Sequence, residues 1–108
     1  MTVKGTLSRG ILTLRLSGEI DESCALRLRA EIDRMIGESP ANAVVFDMSG
    51  VRFMDSTGIG LLLGRYKKHR DAGISFYIMN PCPLCEKLFA LSGIYRVITK
   101  IGSLADVQ

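Results

Sequence analysis

The residues of this chain best placed to do chemistry are Ser56 and Thr57, inside the run Phe53-Met54-Asp55-Ser56-Thr57-Gly58-Ile59-Gly60. The run follows an apolar, strand-like stretch, Val44-Val45-Phe46-Asp47-Met48, and leads into Leu61-Leu62-Leu63-Gly64-Arg65-Tyr66-Lys67-Lys68, which reads as a helix. Two hydroxyls therefore sit where a helix begins. A helix start offers unpaired backbone N–H groups and the positive end of the helix dipole, and it can hold a phosphate. A hydroxyl there has two uses. It can cap the helix, because Ser, Thr and Asp are the preferred caps. It can also accept a phosphoryl group, which adds roughly −1.5 to −2 charges. Gly58 and Gly60 fall in the same first turn, where a glycine costs up to about 1 kcal/mol against alanine. Either an enzyme must approach this backbone closely, or the turn packs tightly on a neighbouring strand. The residues alone leave both pairs of readings open.

Other reactive residues carry weaker signals. Cys82-Pro83-Leu84-Cys85 is a CxxC at the start of a helix after a strand, the position of a thioredoxin-type redox pair. No second pair exists to complete a zinc site and no tryptophan precedes it, so thiol redox function stands as the alternative reading. Cys82 is expected to cap its helix, with Cys85 facing the core or the surface beside it. Asp47 sits near a strand end, as the acceptor of a phospho-aspartate receiver would, but the pair of acids such a domain places after its first strand to bind magnesium is missing. His69 is the single histidine and lies in a basic helix end. The chain has neither a Gly-x-Ser-x-Gly elbow nor a Gly-x-x-x-x-Gly-Lys phosphate loop. Asp55-Ser56-Thr57-Gly58 shares only its letters with an aspartic protease motif, since a helix follows it. No enzyme activity, metal site or cofactor is expected.

Composition narrows the classes further. The 108 residues suit a single compact domain spanning 1–108, and 47% are hydrophobic, enough for a core without metals or disulfides. The net charge of +3, from 14 basic and 11 acidic residues, is too mild for a nucleic-acid module. The densest basic patch, Arg65, Lys67, Lys68, His69 and Arg70, reads as a solvated helix end that meets the negative end of the dipole. No apolar run is long enough to span a membrane and no signal peptide is evident, so a cytoplasmic location is expected. Three cysteines do not suggest a disulfide framework.

The elements that must position Ser56 follow from periodicity. Val3 to Leu7 and Ile11 to Leu16 read as a hairpin turning at Ser8-Arg9-Gly10; in its second strand Leu12, Leu14 and Leu16 alternate with Thr13 and Arg15, which predicts one sheet face only partly covered. Ser17 to Asp21 reads as a polar loop, with Asp21 or Ser23 capping a helix from Glu22 to Ile36. Its stripe is Ala25, Leu28, Ile32, Met35 and Ile36, and Gly37 with Ser39-Pro40 ends it. Ala43 to Met48 is the third strand, and Ser49-Gly50 a turn. The second helix runs from Ser56 to Ala72 on Ile59, Leu62, Leu63 and Tyr66. Ile74 to Met79 is the fourth strand. A third helix, Leu84 to Leu91, is built on Leu84, Leu88 and Leu91 and stops at Ser92-Gly93. Ile94 to Ile98 is a candidate fifth strand, and Ser103 to Val107 a last helical stub. The order, an opening hairpin and then alternating helix and strand, predicts an α/β fold: a mixed sheet of four to five strands packed against three to four helices.

Four segments carry a resemblance: Gly18-Glu19-Ile20-Asp21, the Phe53–Gly60 run, Leu63-Gly64-Arg65-Tyr66-Lys67, and Lys87-Leu88-Phe89-Ala90-Leu91-Ser92-Gly93-Ile94. In type, order and spacing they are similar to the anti-sigma factor antagonists, the family of the STAS fold, over essentially the whole chain. The Gly-Arg-Tyr-Lys continuation resembles the sporulation branch more than the general-stress branch. The resemblance implies a partner switch without catalysis. The unmodified protein binds an anti-sigma factor and frees a sigma factor. The anti-sigma factor is also an ATP-dependent serine kinase that inactivates the antagonist, and a metal-dependent serine phosphatase restores it. The resemblance points to Ser56 as the phosphoacceptor, with Glu19, Asp21, Asp55, Thr57, Gly58 and Gly60 around it in the partner-binding region; Thr57 is read as a cap or an inward-facing residue. A free monomer is expected. The two cysteines of the CxxC depart from the family pattern.

Overall fold

Two consecutive residues in the left-handed region, Arg9 (φ 53°) and Gly10 (φ 78°), start the sheet. They form a two-residue hairpin loop of the kind whose twist matches the flanking strands. Strand β1 (Thr2–Ser8) pairs antiparallel with β2 (Ile11–Ile20), Ser8 opposite Ile11. The computed structural model describes residues 1–107. Helix α1 (Glu22–Glu38), β3 (Ala43–Met54), α2 (Ser56–His69), β4 (Ser75–Met79), α3 (Pro83–Ser92) and β5 (Thr99–Ile101) follow. The strands lie side by side in chain order, and β2 to β5 are parallel. Each parallel step is a crossover to the adjacent strand, and such crossovers share one hand, so the three helices pack on one face of the sheet. That face is the core: Leu12, Leu14 and Leu16 of β2, Val44, Phe46 and Met48 of β3, and Phe76 and Ile78 of β4 pack with Leu28, Ile32 and Ile36 of α1, Leu61 and Leu62 of α2, and Cys85 and Phe89 of α3. The other face holds a small cluster, Val45, Met79 and Ile101, flanked by Ile11, Tyr77 and Val107. The partly covered face expected from the alternation of β2 is therefore present.

Several boundaries differ from expectation. β2 continues to Ile20 and β3 to Met54, where the sequence suggests a polar loop from Ser17 and a turn at Ser49-Gly50. The pairing shifts register between Arg15 and Ser17 and again between Gly18 and Glu19. Both shifts break the alternation by which a strand is recognised. Gly50 lies opposite Ser17, and a side chain there would collide with the Leu16 carbonyl and with Ser17. It is a glycine of close backbone approach rather than of a turn. α1 runs through Gly37, which is open to solvent, and ends at Ser39, whose N–H reaches the Ile36 carbonyl. α2 ends at His69, and a 3-10 turn over Arg70–Ala72 closes on Gly73. Ile94–Arg96 is a 3-10 turn, with the fifth strand beginning only at Thr99. The helix stripes are also rotated. Cys24 rather than Ala25 is buried on α1, and Gly58, Leu61, Leu62 and Arg65 face inward on α2, leaving Ile59, Leu63 and Tyr66 half-buried. On α3, Cys85 and Phe89 are fully buried while Leu84 and Leu91 are exposed. In each case apolar residues cover more of the helix than one face, and the pattern cannot say which arc meets the sheet.

The basic end of α2 is not simply solvated. Arg65 is 5% exposed, and its Nε stands 3.0 Å from Asp33 Oδ1 on α1, close enough for an ion pair but without hydrogen-bond alignment; Nη1 has no partner. His69 Nε2 lies 2.8 Å from the same carboxylate and Lys68 Nζ 3.2 Å from it. Burial alone would raise the Asp33 pKa, but the bonds to His69 and Lys68 and the Arg65 charge together hold it below its ordinary value. This cluster joins α1 to α2. Its ionised form is favoured by folding, so its contribution is complete above the ordinary aspartate pKa and is lost as the pH falls through the lower folded value. Urea unfolding should show Asp33→Ala less stable by about 3–5 kcal/mol at neutral pH, because it leaves a buried guanidinium unpaired. The deficit relative to wild type should shrink as the pH is lowered below the ordinary aspartate value; a pH-independent deficit would mean that the carboxylate charge is not what matters.

Candidate functional site

Asp55 ends β3 and begins α2. Its N–H donates to the Ile20 carbonyl at 3.3 Å, the last rung between β2 and β3. Its backbone is extended, and Oδ1 accepts the Thr57 N–H at 2.9 Å. Of the three polar residues at this helix start, Asp55 is thus the cap. Ser56 is the first helical residue and is exposed, so its hydroxyl is not engaged in capping. Thr57 is half-buried.

The same construction occurs one strand over. Ile20 ends β2, and Asp21 caps α1: its Oδ1 accepts the Ser23 N–H at 3.0 Å and the Ser23 hydroxyl at 2.5 Å. The Ser23 hydroxyl bond is the largest of the influences that hold the Asp21 carboxyl below its ordinary pKa. Ile20 pairs with Met54 across the parallel ladder, so the residues that follow them, Asp21 and Asp55, leave the sheet side by side. Glu19, opposite Phe53, is exposed, and Phe53 is itself exposed. One end of the sheet therefore presents Glu19, Asp21 and Asp55 around Ser56. Glu19 and Asp21 also line a polar cleft with Arg27 and Arg52.

The two glycines of the turn do different things. A Cβ on Gly58 would overlap the side chain of Met54 and crowd Ile20. Gly58 is buried, and tight packing on the strand ends accounts for it. A Cβ on Gly60 would meet nothing within 4 Å. Gly60 is exposed and, with Thr57, Leu61, Gly64 and Arg65 of α2, lines one wall of an open groove of about 600 Å³; Glu22, Ala25, Leu26 and Arg29 of α1 form the other. Leu26 is 76% exposed there. The structure thus places Glu19, Asp21 and Asp55 at the ends of β2 and β3, Ser56 and Thr57 at the start of α2, Gly60 on the groove beside it, and Gly58 buried beneath. Leu26 and Arg29 on the groove and Arg52 on the cleft carry no signal in the sequence, since an exposed side chain on a strand or helix bears no mark of what it faces.

The other reactive residues lie elsewhere. Asp47 Oδ1 accepts the Ser49 N–H at 3.0 Å and the Asn80 side-chain N–H at 3.3 Å, holding the loop after β4. His69 belongs to the Asp33 cluster. Cys82 is the N-cap of α3, as expected, and Cys85 faces the core. Among the described residues no group of three or more histidine, cysteine or carboxylate side chains is placed to hold a metal ion, and no helix is long and apolar enough to cross a membrane.

Comparison with known proteins identifies the family and the fold. The STAS domain family matches residues 4–106. The anti-sigma F factor antagonist of Paenibacillus polymyxa is 32% identical over 104 residues, covering 93% of this chain and 89% of its own. Among solved structures, the anti-sigma factor antagonist SpoIIAA in its unphosphorylated form superposes with a TM-score of 0.78 at 26% identity, over 94% of this chain and 90% of that one. The Bacillus cell fate determinant SpoIIAA in its phosphorylated form superposes with a TM-score of 0.70 at the same identity, over 94% and 93%. The family match, the sequence identity and the superposition, each over nearly the whole chain, agree on one assignment: the chain belongs to the STAS family, among the anti-sigma factor antagonists.

Proposed function

We infer that this protein is a partner-switching regulator. In its unmodified form it binds an anti-sigma factor that is also an ATP-dependent serine kinase, and so frees a sigma factor, the sporulation one on the likeness of its relatives. Phosphorylation of Ser56 ends that complex, and a serine phosphatase restores the binding form. The protein acts in the cytoplasm, as a monomer when free, and the scheme asks for no catalytic group, cofactor or metal of its own. The observation that carries this reading is the Ser56 hydroxyl: exposed, first in α2, and relieved of capping by Asp55.

The physical logic is local. A phosphate on Ser56 would meet the positive end of α2, an interaction of about 0.3–1 kcal/mol, so the scaffold tolerates it. It would also stand beside Asp55 and near Asp21. A partner surface that receives this acidic end against Glu19, Asp21, Asp55, Thr57 and Gly60 would have to desolvate roughly two further negative charges. A penalty of about 4 kcal/mol is roughly a thousandfold in affinity. Exclusion by charge needs no change of fold. Gly58 serves the same end from below, by seating the turn on Met54 and Ile20.

Incubation with the cognate anti-sigma kinase and ATP should add one phosphate to the peptide containing Ser56, and Ser56→Ala should take up none; labelling of that variant at the wild-type level would refute the acceptor. Ser56→Asp should unfold within about 1 kcal/mol of wild type yet bind the kinase far more weakly in calorimetry. Equal binding by that variant would mean charge is not the switch. The glycines should separate in the same assays. Gly58→Ala should lose stability, by about 1–3 kcal/mol for an overpacked site. Gly60→Leu should keep its stability and lose affinity for the kinase.

A further inference from the structure

Cys82 and Cys85 lie outside the surface assigned above, and nothing in the switch uses them. They sit at the two ends of the first turn of α3, in unlike surroundings. Cys82 is the N-cap, partly exposed, and its sulfur accepts the Cys85 N–H at 3.4 Å. Cys85 is fully buried, in the core with Phe89. Residues three apart on one turn have Cα atoms roughly 5–6 Å apart, inside the span of a disulfide. Cys82 is thus the member of the pair with access to solvent, and Cys85, with none of its own, lies within one turn of it.

We propose that Cys82 and Cys85 form a dithiol site that exchanges with low-molecular-weight disulfides and closes to an internal disulfide across the start of α3. The Cys82 thiolate attacks one sulfur of the small disulfide RSSR. A bond forms between Cys82 Sγ and that sulfur, the RS–SR bond breaks, and RS⁻ departs and takes up a proton. Cys85 then releases its proton to solvent and attacks Cys82 Sγ, which expels the second RS⁻. Two thiols and one disulfide become one disulfide and two thiols, and two electrons pass from the cysteine pair to RSSR.

The surroundings assign the order of attack. Partial burial opposes ionisation of Cys82, but the N–H groups of Cys85 and Leu84 and the Cys85 thiol more than offset it, and the Cys82 pKa lies below its ordinary value. Burial, then the hydrogen bond to Cys82 and its charge, push the Cys85 thiol up to about 12. Helix N-termini favour the thiolate in this way, and the thiolate is the attacking species. The charged and titratable neighbours are few: Glu86 is paired with Lys100, and the Tyr95 hydroxyl is buried, its own pKa raised by burial and by Glu86. Cys24 serves as an internal comparison. It is buried on α1, and its thiol points at the Glu19 and Asp21 carbonyls at 3.6 and 3.4 Å.

The test uses the full chain, reduced and then exposed to oxidised glutathione at neutral pH, with mass spectrometry of iodoacetamide-blocked peptides. Wild type should lose two alkylatable thiols together and show one Cys82–Cys85 bond, with Cys24 still free. In the reduced protein Cys82 should be alkylated at least roughly tenfold faster than Cys85 or Cys24. Cys85→Ser should accumulate a glutathione adduct on Cys82, and Cys82→Ser should form neither adduct nor bond. Wild type that keeps both thiols, or that collects glutathione on Cys82 without closing the ring, would overturn the proposal. So would alkylation of Cys82 no faster than Cys24. The wild-type measurements stand even if a serine variant fails to fold.

Discussion

The parallel pairing of β2 and β3, carried past two register shifts to Ile20 opposite Met54, is the constraint on which the rest of the molecule depends. It decides where two helices leave the sheet. Because the ladder ends at the same level on both strands, Asp21 and Asp55 emerge together, each capping the helix it begins. Gly50 allows the shifted backbones to approach, and Gly58 lets the first turn of α2 sit directly on Met54. If either strand ended early, the acid-capped helix starts would separate and Ser56 would stand alone on a loop.

In the proposed switch, that geometry is the reason a small modification would suffice. The serine is held on a regular helix start whose cap is made by another residue, so its hydroxyl is free to react without loosening the fold. The surrounding charge is supplied by groups with structural duties of their own, since Asp21 and Asp55 each accept a backbone N–H at the start of a helix. In the proposed switch, added charge would act on what docks at this end rather than on the scaffold. The Asp33 cluster contributes at a distance, by tying α1 to α2 and so fixing the groove in which Thr57 and Gly60 face Leu26 and Arg29.

Arg65 and Asp33 also show the limits of reading charge along a chain. Arg65 belongs to a basic run, and four of the five residues in that run are adjacent in sequence. Helical geometry sends them in different directions: Arg65 inward to Asp33, Lys68 and His69 toward the same acid from its edge, Lys67 and Arg70 to solvent. The partner lies more than thirty positions away on α1, where nothing in the local pattern announces it. The CxxC is the converse case. The motif and its place at a helix start are plain in the sequence, but the unequal burial of its two sulfurs is set by Phe89 and the sheet beneath α3.

The order of elements, the hairpin turn, the existence of all three helices, and the serine at a helix start were legible because each rests on local physics: period-2 or period-3.6 patterning, left-handed turn residues and capping chemistry. The four family segments extended that to the family and its fold. What only the tertiary structure decided was the length of β2 and β3, the arc that each helix buries, the division of labour between Gly58 and Gly60, and the choice of Asp55 as cap. The physical reason is the same throughout. A bulged parallel ladder hides its own periodicity, and a helix apolar on more than one side is oriented by the surface it meets. Whether a glycine is needed depends on the atoms of another segment, here Met54 and Ile20, brought against it by folding.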